Sequence, residues 1–128
     1  MADRLRVLVV DDNRDTLLLL QRIVGKSDCD VRTCPDSKHA VQLAQEFQPQ
    51  VIFLDIAMPD LDGFEVAEDL HDVKLPDYML VAVTSYSDEA HRRECEASGF
   101  TAFLAKPPSV EEVAALISTA KQRFITVA

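Results

Sequence analysis

Short apolar runs at residues 7–10, 51–54, 79–83 and 103–105 each stop at a residue that can handle phosphate or metal: Asp11 with Asp12, Asp55, Thr84 and Lys106. Each run is too short for an independent helix and is rich in Val, Ile, Leu or Phe, which predicts strands buried on both faces. The stretches between them repeat apolar residues at helical spacing, so strands and helices alternate and the sheet is expected to be parallel. Parallel strands send all their carboxyl ends to one edge. In open α/β sheets that edge is where ligands bind.

The helical stretches have readable ends. Leu17, Leu20 and Val24 recur before Gly25, where the first helix is expected to stop, and Ala40, Ala44 and Phe47 form a second stripe closed by Pro49. A third helix carries Val66, Leu70 and Val73 and ends before Pro76. Ser87 is placed as the cap of a fourth, whose weak apolar face is assigned to Ala90 and Ala97 and whose end is set by Gly99. That helix should be the least firmly anchored. The last helix opens on a capping box of Ser109 and Glu112 and carries the stripe Val113, Leu116, Ile117, Ala120 and Phe124. Residues 30–34 alternate polar and apolar, as a more exposed strand does. Five strands and five helices with right-handed crossovers predict a flavodoxin-like doubly wound parallel sheet of order 2-1-3-4-5.

A chain of 128 residues fits one domain, here residues 1–128, able to bury a core without disulfides or structural metal. Its net charge of -9 argues against nucleic acid or an anionic membrane as a direct partner. No apolar stretch reaches transmembrane length and residues 1–6 are too polar for a secretory signal, so a cytoplasmic location is expected. Cys29, Cys34 and Cys95 are odd in number and lack CxxC spacing, which points to neither a disulfide framework nor zinc. Cys29 and Cys34 should face opposite sides of one strand.

The chemistry follows from the strand ends. Asp11, Asp12 and Asp55 brought together are costly unless a pKa rises or a cation binds. Mg²⁺, with Mn²⁺ as a substitute, suits a site of one or two carboxylates, waters and phosphate oxygens. The Asp pair by itself could merely cap the first helix, as Asp12 or Asn13 can, but Asp55 directly after a buried run is neither core material nor a needed cap. A carboxylate is a competent nucleophile toward phosphorus. Phosphoryl transfer then needs charge neutralisation, which Lys106 can supply, and a hydroxyl donor, which Thr84 offers. Pro107 after Lys106 stiffens the turn. Both a cis Lys106–Pro107 bond and a plain trans turn fit the sequence.

Together, the pair Asp11–Asp12, Asp55, the segment from Met58 through Pro59, Asp60, Leu61 and Asp62 to Gly63, Thr84, and Lys106–Pro107 resemble the receiver domain of two-component response regulators, over essentially the whole chain. The resemblance implies that Asp55 is the phosphoacceptor and that Asp12 and Asp55 hold Mg²⁺ with the Ala57 backbone carbonyl, Asp11 acting mostly through water. It further implies that Lys106 pairs with the phosphoryl group, Thr84 bonds to it after transfer, and Phe103 on the fifth strand takes part in the switch. Phosphorylation adds roughly 1.5 to 2 negative charges, enough to draw Thr84 inward and let Phe103 fill the space. Phe103 lacks the hydroxyl of a tyrosine. Ala57 and Tyr86 replace polar residues common in receivers that orient a hydrolytic water, so slow self-dephosphorylation is expected.

The phosphoryl group is expected from a sensor histidine kinase or a histidine phosphotransfer protein, and a downstream protein target is expected on the face of the fourth helix, fifth strand and fifth helix. His39, His71 and His91 are expected at the surface. On this reading the chain catalyses its own phosphorylation and slow dephosphorylation without being a conventional turnover enzyme. It is either a standalone receiver or one excised from a longer hybrid kinase. A haloacid-dehalogenase-like phosphatase would need a second Asp where Ala57 stands. A flavodoxin or nucleotide-binding domain would need a glycine-rich loop that Gly25, Gly63 and Gly99 do not form. A non-catalytic pseudo-receiver acting as a binding module is disfavoured by the full set of phosphorylation residues.

Overall fold

Runs of Val, Leu, Ile and Phe that alternate between two faces can bury both faces only inside a three-layer stack, and that is what the chain builds. In a computed structural model that describes residues 4–58, 62–85 and 89–125, five strands and five helices alternate. They are β1 (Leu5–Val10), α1 (Arg14–Gly25), β2 (Cys29–Cys34), α2 (Ala40–Phe47, after a 3-10 turn at Ser37–His39), β3 (Val51–Leu54), α3 (Gly63–Asp72), β4 (Met79–Thr84), α4 (Glu89–Ala97), β5 (Ala102–Ala105) and α5 (Val110–Phe124). The strands form one sheet in the order β2-β1-β3-β4-β5, and every pair is parallel. The expected flavodoxin-like topology is the observed one.

The period-two alternation of the strands sorts the core into two halves. Leu5, Val7 and Val9 of β1 point toward α1 and α5, where they meet Leu17, Leu20, Val24, Val113 and Ile117. Leu8 and Val10 point the other way, with Ile52 and Leu54, toward Phe47, Val66, Leu70 and Cys95. Cys29 belongs to the first half and Cys34 to the second, the opposite-face placement expected from their spacing. All the cysteines are buried and free, and burial raises each thiol pKa, Cys95 to about 11 with help from Glu94 and Glu96. Such thiols are poor nucleophiles at neutral pH.

Two expectations need correction. β5 is not buried on both faces: it is the edge strand, with Phe103 half-buried and Ala105 exposed, because only β4 lies beside it. The apolar face of α4 is not Ala90 and Ala97, which are both exposed; Cys95 is its one buried residue among those described. A helix of sequence EAHRRECEA offers a single cysteine to the core, and that residue, not the alanines, turns inward. α1 stops at Gly25 as expected; the chain turns at Lys26 and takes a left-handed conformation at Asp28 (φ 56). Gly99, by contrast, ends the turn after α4 at φ +90, a conformation that L side chains rarely adopt.

At α5 half of the expected capping box forms. Ser109 Oγ accepts from the Glu112 N–H at 3.1 Å, while the Glu112 carboxylate accepts from the Ser109 hydroxyl at 3.0 Å rather than from its backbone. Val113, Ile117 and Ala120 are buried, and Leu116 and Phe124 pack half-buried against the same half of the core. His39 and His71 lie at the surface as expected, and His91 is half-buried. Ser87 falls outside the described residues. Among the described residues no helix is long and apolar enough to cross a membrane.

Candidate functional site

Strand register decides which side chains meet. Val10 is opposite Leu54, so the next residues, Asp11 and Asp55, leave the sheet side by side, tied by the Asp55 N–H donating to the Val10 carbonyl at 3.0 Å. Thr84 is opposite Ala105, and the Lys106 N–H donates to the Thr84 carbonyl at 2.9 Å. The carboxyl ends of β1, β3, β4 and β5 therefore bring Asp11, Asp55, Thr84 and Lys106 to one edge. Asp12 follows Asp11 on the loop into α1, and Asn13 rather than Asp12 is the N-cap, accepting from the N–H groups of Asp15 and Thr16. Asp12 is thereby left exposed at the mouth of the site.

Asp11, Asp12 and Asp55 each offer a carboxylate oxygen, all within 4.8 Å of one another. Asp11 and Asp55 are only 1% and 3% exposed, so their repulsion is weakly screened. Lys106 supplies part of the compensation. Its Nζ donates to Asp55 Oδ2 at 3.0 Å and lies 2.8 Å from Asp11 Oδ2. Burial disfavours the ammonium, but the hydrogen bonds and charges of Asp11 and Asp55 outweigh it and hold the lysine pKa above its ordinary value. The sequence placed Lys106 toward a phosphoryl group and missed this bridge to both carboxylates.

The compensation is incomplete. Burial pushes Asp11 up from 3.8 to about 6, against the opposing pull of Lys106 and of the Asn13 N–H, which donates to Asp11 Oδ1 at 2.8 Å. Asp11 Oδ2, buried, keeps its ion-pair distance to Lys106 but has no hydrogen bond of proper geometry. A buried carboxylate oxygen held by one poorly aligned ammonium, beside two further carboxylates, fits a hard divalent cation. The donor set is all oxygen, as Mg²⁺ requires.

The loop after Asp55 is held by contacts that the sequence did not reveal. The Ala57 N–H donates to Asp55 Oδ1 at 3.0 Å, so both acceptor oxygens are oriented. Ile56 is buried while Ala57 is exposed. The Gly63 N–H donates to the Ile56 carbonyl at 3.1 Å, and a Cβ at Gly63 would stand 2.5 Å from Ile56 Cα and 2.6 Å from the Asp55 carbonyl oxygen. Only glycine permits that approach. Asp62 starts α3 with a complete capping box, accepting from the Glu65 N–H at 2.9 Å while Glu65 Oε1 accepts from the Asp62 N–H at 3.4 Å. The Asp-x-x-Glu spacing before an apolar stripe was the signal that could have found it.

Thr84 is fully buried at the end of β4. Phe103 is half-buried on β5, with the Arg92 guanidinium of α4 5.9 Å from its ring centroid. The Lys106–Pro107 bond is cis, which decides between the two turns the sequence allowed. Tyr86, and Pro59, Asp60 and Leu61 of the motif after Asp55, lie outside the described residues.

Residues 7–118 match the family model described as response regulator receiver domain. An uncharacterised 14.6 kDa protein of Leptolyngbya boryana is 32% identical over 87% of this chain and 86% of its own length. The alkaline phosphatase synthesis transcriptional regulatory protein PhoP of Bacillus subtilis is 35% identical over 92% of this chain, which spans about half (49%) of that protein. Among solved structures, the chemotaxis protein CheY4 of Vibrio cholerae aligns over 92% of this chain and 99% of its own at 24% identity with a TM-score of 0.83. The response regulator domain of Thermotoga maritima CheB aligns over 94% and 96% at 28% identity with a TM-score of 0.78.

Proposed function

Since this chain belongs to the response regulator receiver domain family of two-component signalling, we propose that it is a cytoplasmic phosphorelay receiver that takes a phosphoryl group onto Asp55. The observation that carries the reading is the cluster of Asp11, Asp12 and Asp55 oxygens within 4.8 Å, with Lys106 Nζ hydrogen-bonded to Asp55 at 3.0 Å. An Asp55 carboxylate oxygen attacks the phosphorus of a phosphohistidine on a sensor kinase or histidine phosphotransfer protein. The O–P bond forms, the P–N bond breaks, and the imidazole leaves with the bonding pair. The Ala57 N–H and the Lys106 ammonium orient the carboxylate, and Lys106 neutralises charge as it develops on the phosphoryl oxygens.

Asp11 and Asp12, with Asp55 and the Ala57 carbonyl, would hold Mg²⁺ or Mn²⁺. When bound, that ion supplies further neutralisation of phosphoryl charge. After transfer the Thr84 hydroxyl bonds to the phosphoryl group, and the half-buried Phe103 follows it inward, changing the face of α4, β5 and α5 that a downstream protein reads. Ala57 and Tyr86 present no carboxamide or carboxylate to a hydrolytic water, which makes the acyl phosphate long-lived. The whole of residues 1–128 acts as one receiver unit.

Acetyl phosphate labelling in MgCl₂ tests the assignment. The chain incorporates phosphate and Asp55→Ala does not; equal labelling of the variant would refute it. Ala57→Asn and Tyr86→Glu should shorten the phosphoryl lifetime, and an unchanged or longer lifetime overturns that part alone.

A further inference from the structure

A groove of about 610 Å³ runs between α3 and α4, sharing α4 but neither β5 nor α5 with the face assigned above to a downstream target. Its existence has a plain cause. Among its described side chains α4 buries only Cys95, and small residues stand along the two helices here: Ala67 on α3, Ala97 on α4, and Ser98 and Gly99 in the turn after it.

The floor is apolar and aromatic, built from Phe64, Tyr78 and Leu80, with Phe64 held edge-to-face against Phe100 at a centroid distance of 6.1 Å. The rim is acidic. Asp62, Glu65 and Glu68 line it from α3 and Glu94 from α4, and no lysine or arginine is among its described lining residues; His71 is the only group there that could turn cationic. Asp62 and Glu65 are engaged in the capping box, which fixes their charges in place at the groove mouth. A second opening shares Asp62, Phe64 and Glu94 and continues the groove to Ile56, Ala57 and Met58, the loop directly after Asp55.

An apolar floor inside a rim of one sign selects a ligand with an apolar anchor and opposite charge around it. Small anions are repelled, and a bare cation leaves the apolar part of the floor without an apolar partner. We propose that this groove docks a basic amphipathic segment of a partner protein, in which a Leu- or Phe-sized side chain enters between Phe64 and Ala97 while flanking Lys or Arg residues pair with Glu68 and Glu94. This goes beyond the phosphoacceptor reading and does not depend on it.

Selection of random displayed peptides on the immobilised full chain, followed by affinity measurement of the enriched sequences, tests the proposal. Enriched peptides should join an apolar residue to Lys or Arg, shift backbone amide resonances of α3 and α4, and weaken with added salt. The double variant Glu68→Lys and Glu94→Lys changes two exposed positions, and circular dichroism melting establishes that it folds. It should bind the same peptides about tenfold or more weakly. Failure to enrich any peptide, enrichment of neutral or acidic ones, undiminished binding by the folded double variant, or self-association of the chain through the groove would each overturn the proposal. Acetyl phosphate labelling of the same double variant keeps the two readings apart, because Asp55 labelling stands or falls without the groove.

Discussion

α1 and α4 pack on the same sheet and are held by very different means. α1 buries Leu17, Leu20, Ile23 and Val24 and is backed by α5, whose Lys121 ammonium donates to the Ser27 carbonyl just past the end of α1. α4 buries Cys95 and touches Phe103 through Arg92. The firm half fixes Asp11 in register beside Asp55, so the groups that must be positioned for chemistry stand on elements that do not move easily. The loose half carries Phe103 and borders the groove, so the elements that can respond are those that cost little to displace. Lys106 joins the two, since it follows the edge strand β5 but its ammonium rests on Asp11 and Asp55.

The largest expected effect comes from cutting that link. Lys106→Ala should slow acetyl phosphate labelling by roughly 10²- to 10³-fold, the scale of losing one preorganised donor to developing charge. A loss below about tenfold would mean that the firm half performs the chemistry alone. Next, Leu20→Ala should cost about 3 kcal/mol in urea unfolding, whereas Cys95→Ala should cost about 1 kcal/mol or less. Equal costs would erase the contrast between the helices.

Asp11 allows the firm half to be probed by pH in metal-free buffer. Its folded carboxyl titrates near 6 and its unfolded one near 3.8, so the unfolded state holds fewer protons between those values and stability falls as pH rises through that window. Asp11→Asn should therefore stabilise the chain by on the order of 1–3 kcal/mol at pH 8, with the gain fading as pH falls from about 6 toward 3.8. A gain that persists undiminished at acid pH would place its origin elsewhere. The smallest effect belongs to the loose half: Arg92→Gln removes a cation–π contact worth about 0.5–1 kcal/mol and should broaden the Phe103 ring resonances while leaving those of Phe53 unchanged. Broadening of both rings would show that α4 is coupled to the whole core.

The firm half was also the legible half. β1, β3 and β4 could be read because full burial leaves an unbroken Val, Ile, Leu and Phe signature, and α1 and α5 because their stripes are long enough to define a face. α4 was misread because a helix with one buried residue has no periodicity to detect, and alanine is the weakest marker of a core position. The exposure of β5 was implied by the expected sheet order, which puts it at an edge, but its apolar run Ala-Phe-Leu-Ala carries the same signature as a buried strand. At the site, residue identities and the strand ends were readable, while the Lys106 bridge to Asp11 and the imperfect hydrogen bonding of Asp11 Oδ2 arise from register and burial across elements distant in sequence. The Asp62 cap was written in the spacing and overlooked.

The contact between Gly63 and Ile56 joins the acceptor loop to the first turn of α3, and the same turn forms one lip of the acidic groove. A single added methyl at position 63 would wedge the two apart and be felt on both sides at once, at the Asp55 carboxylate and at the wall of the groove. Position 63 is thus a fulcrum with no slack.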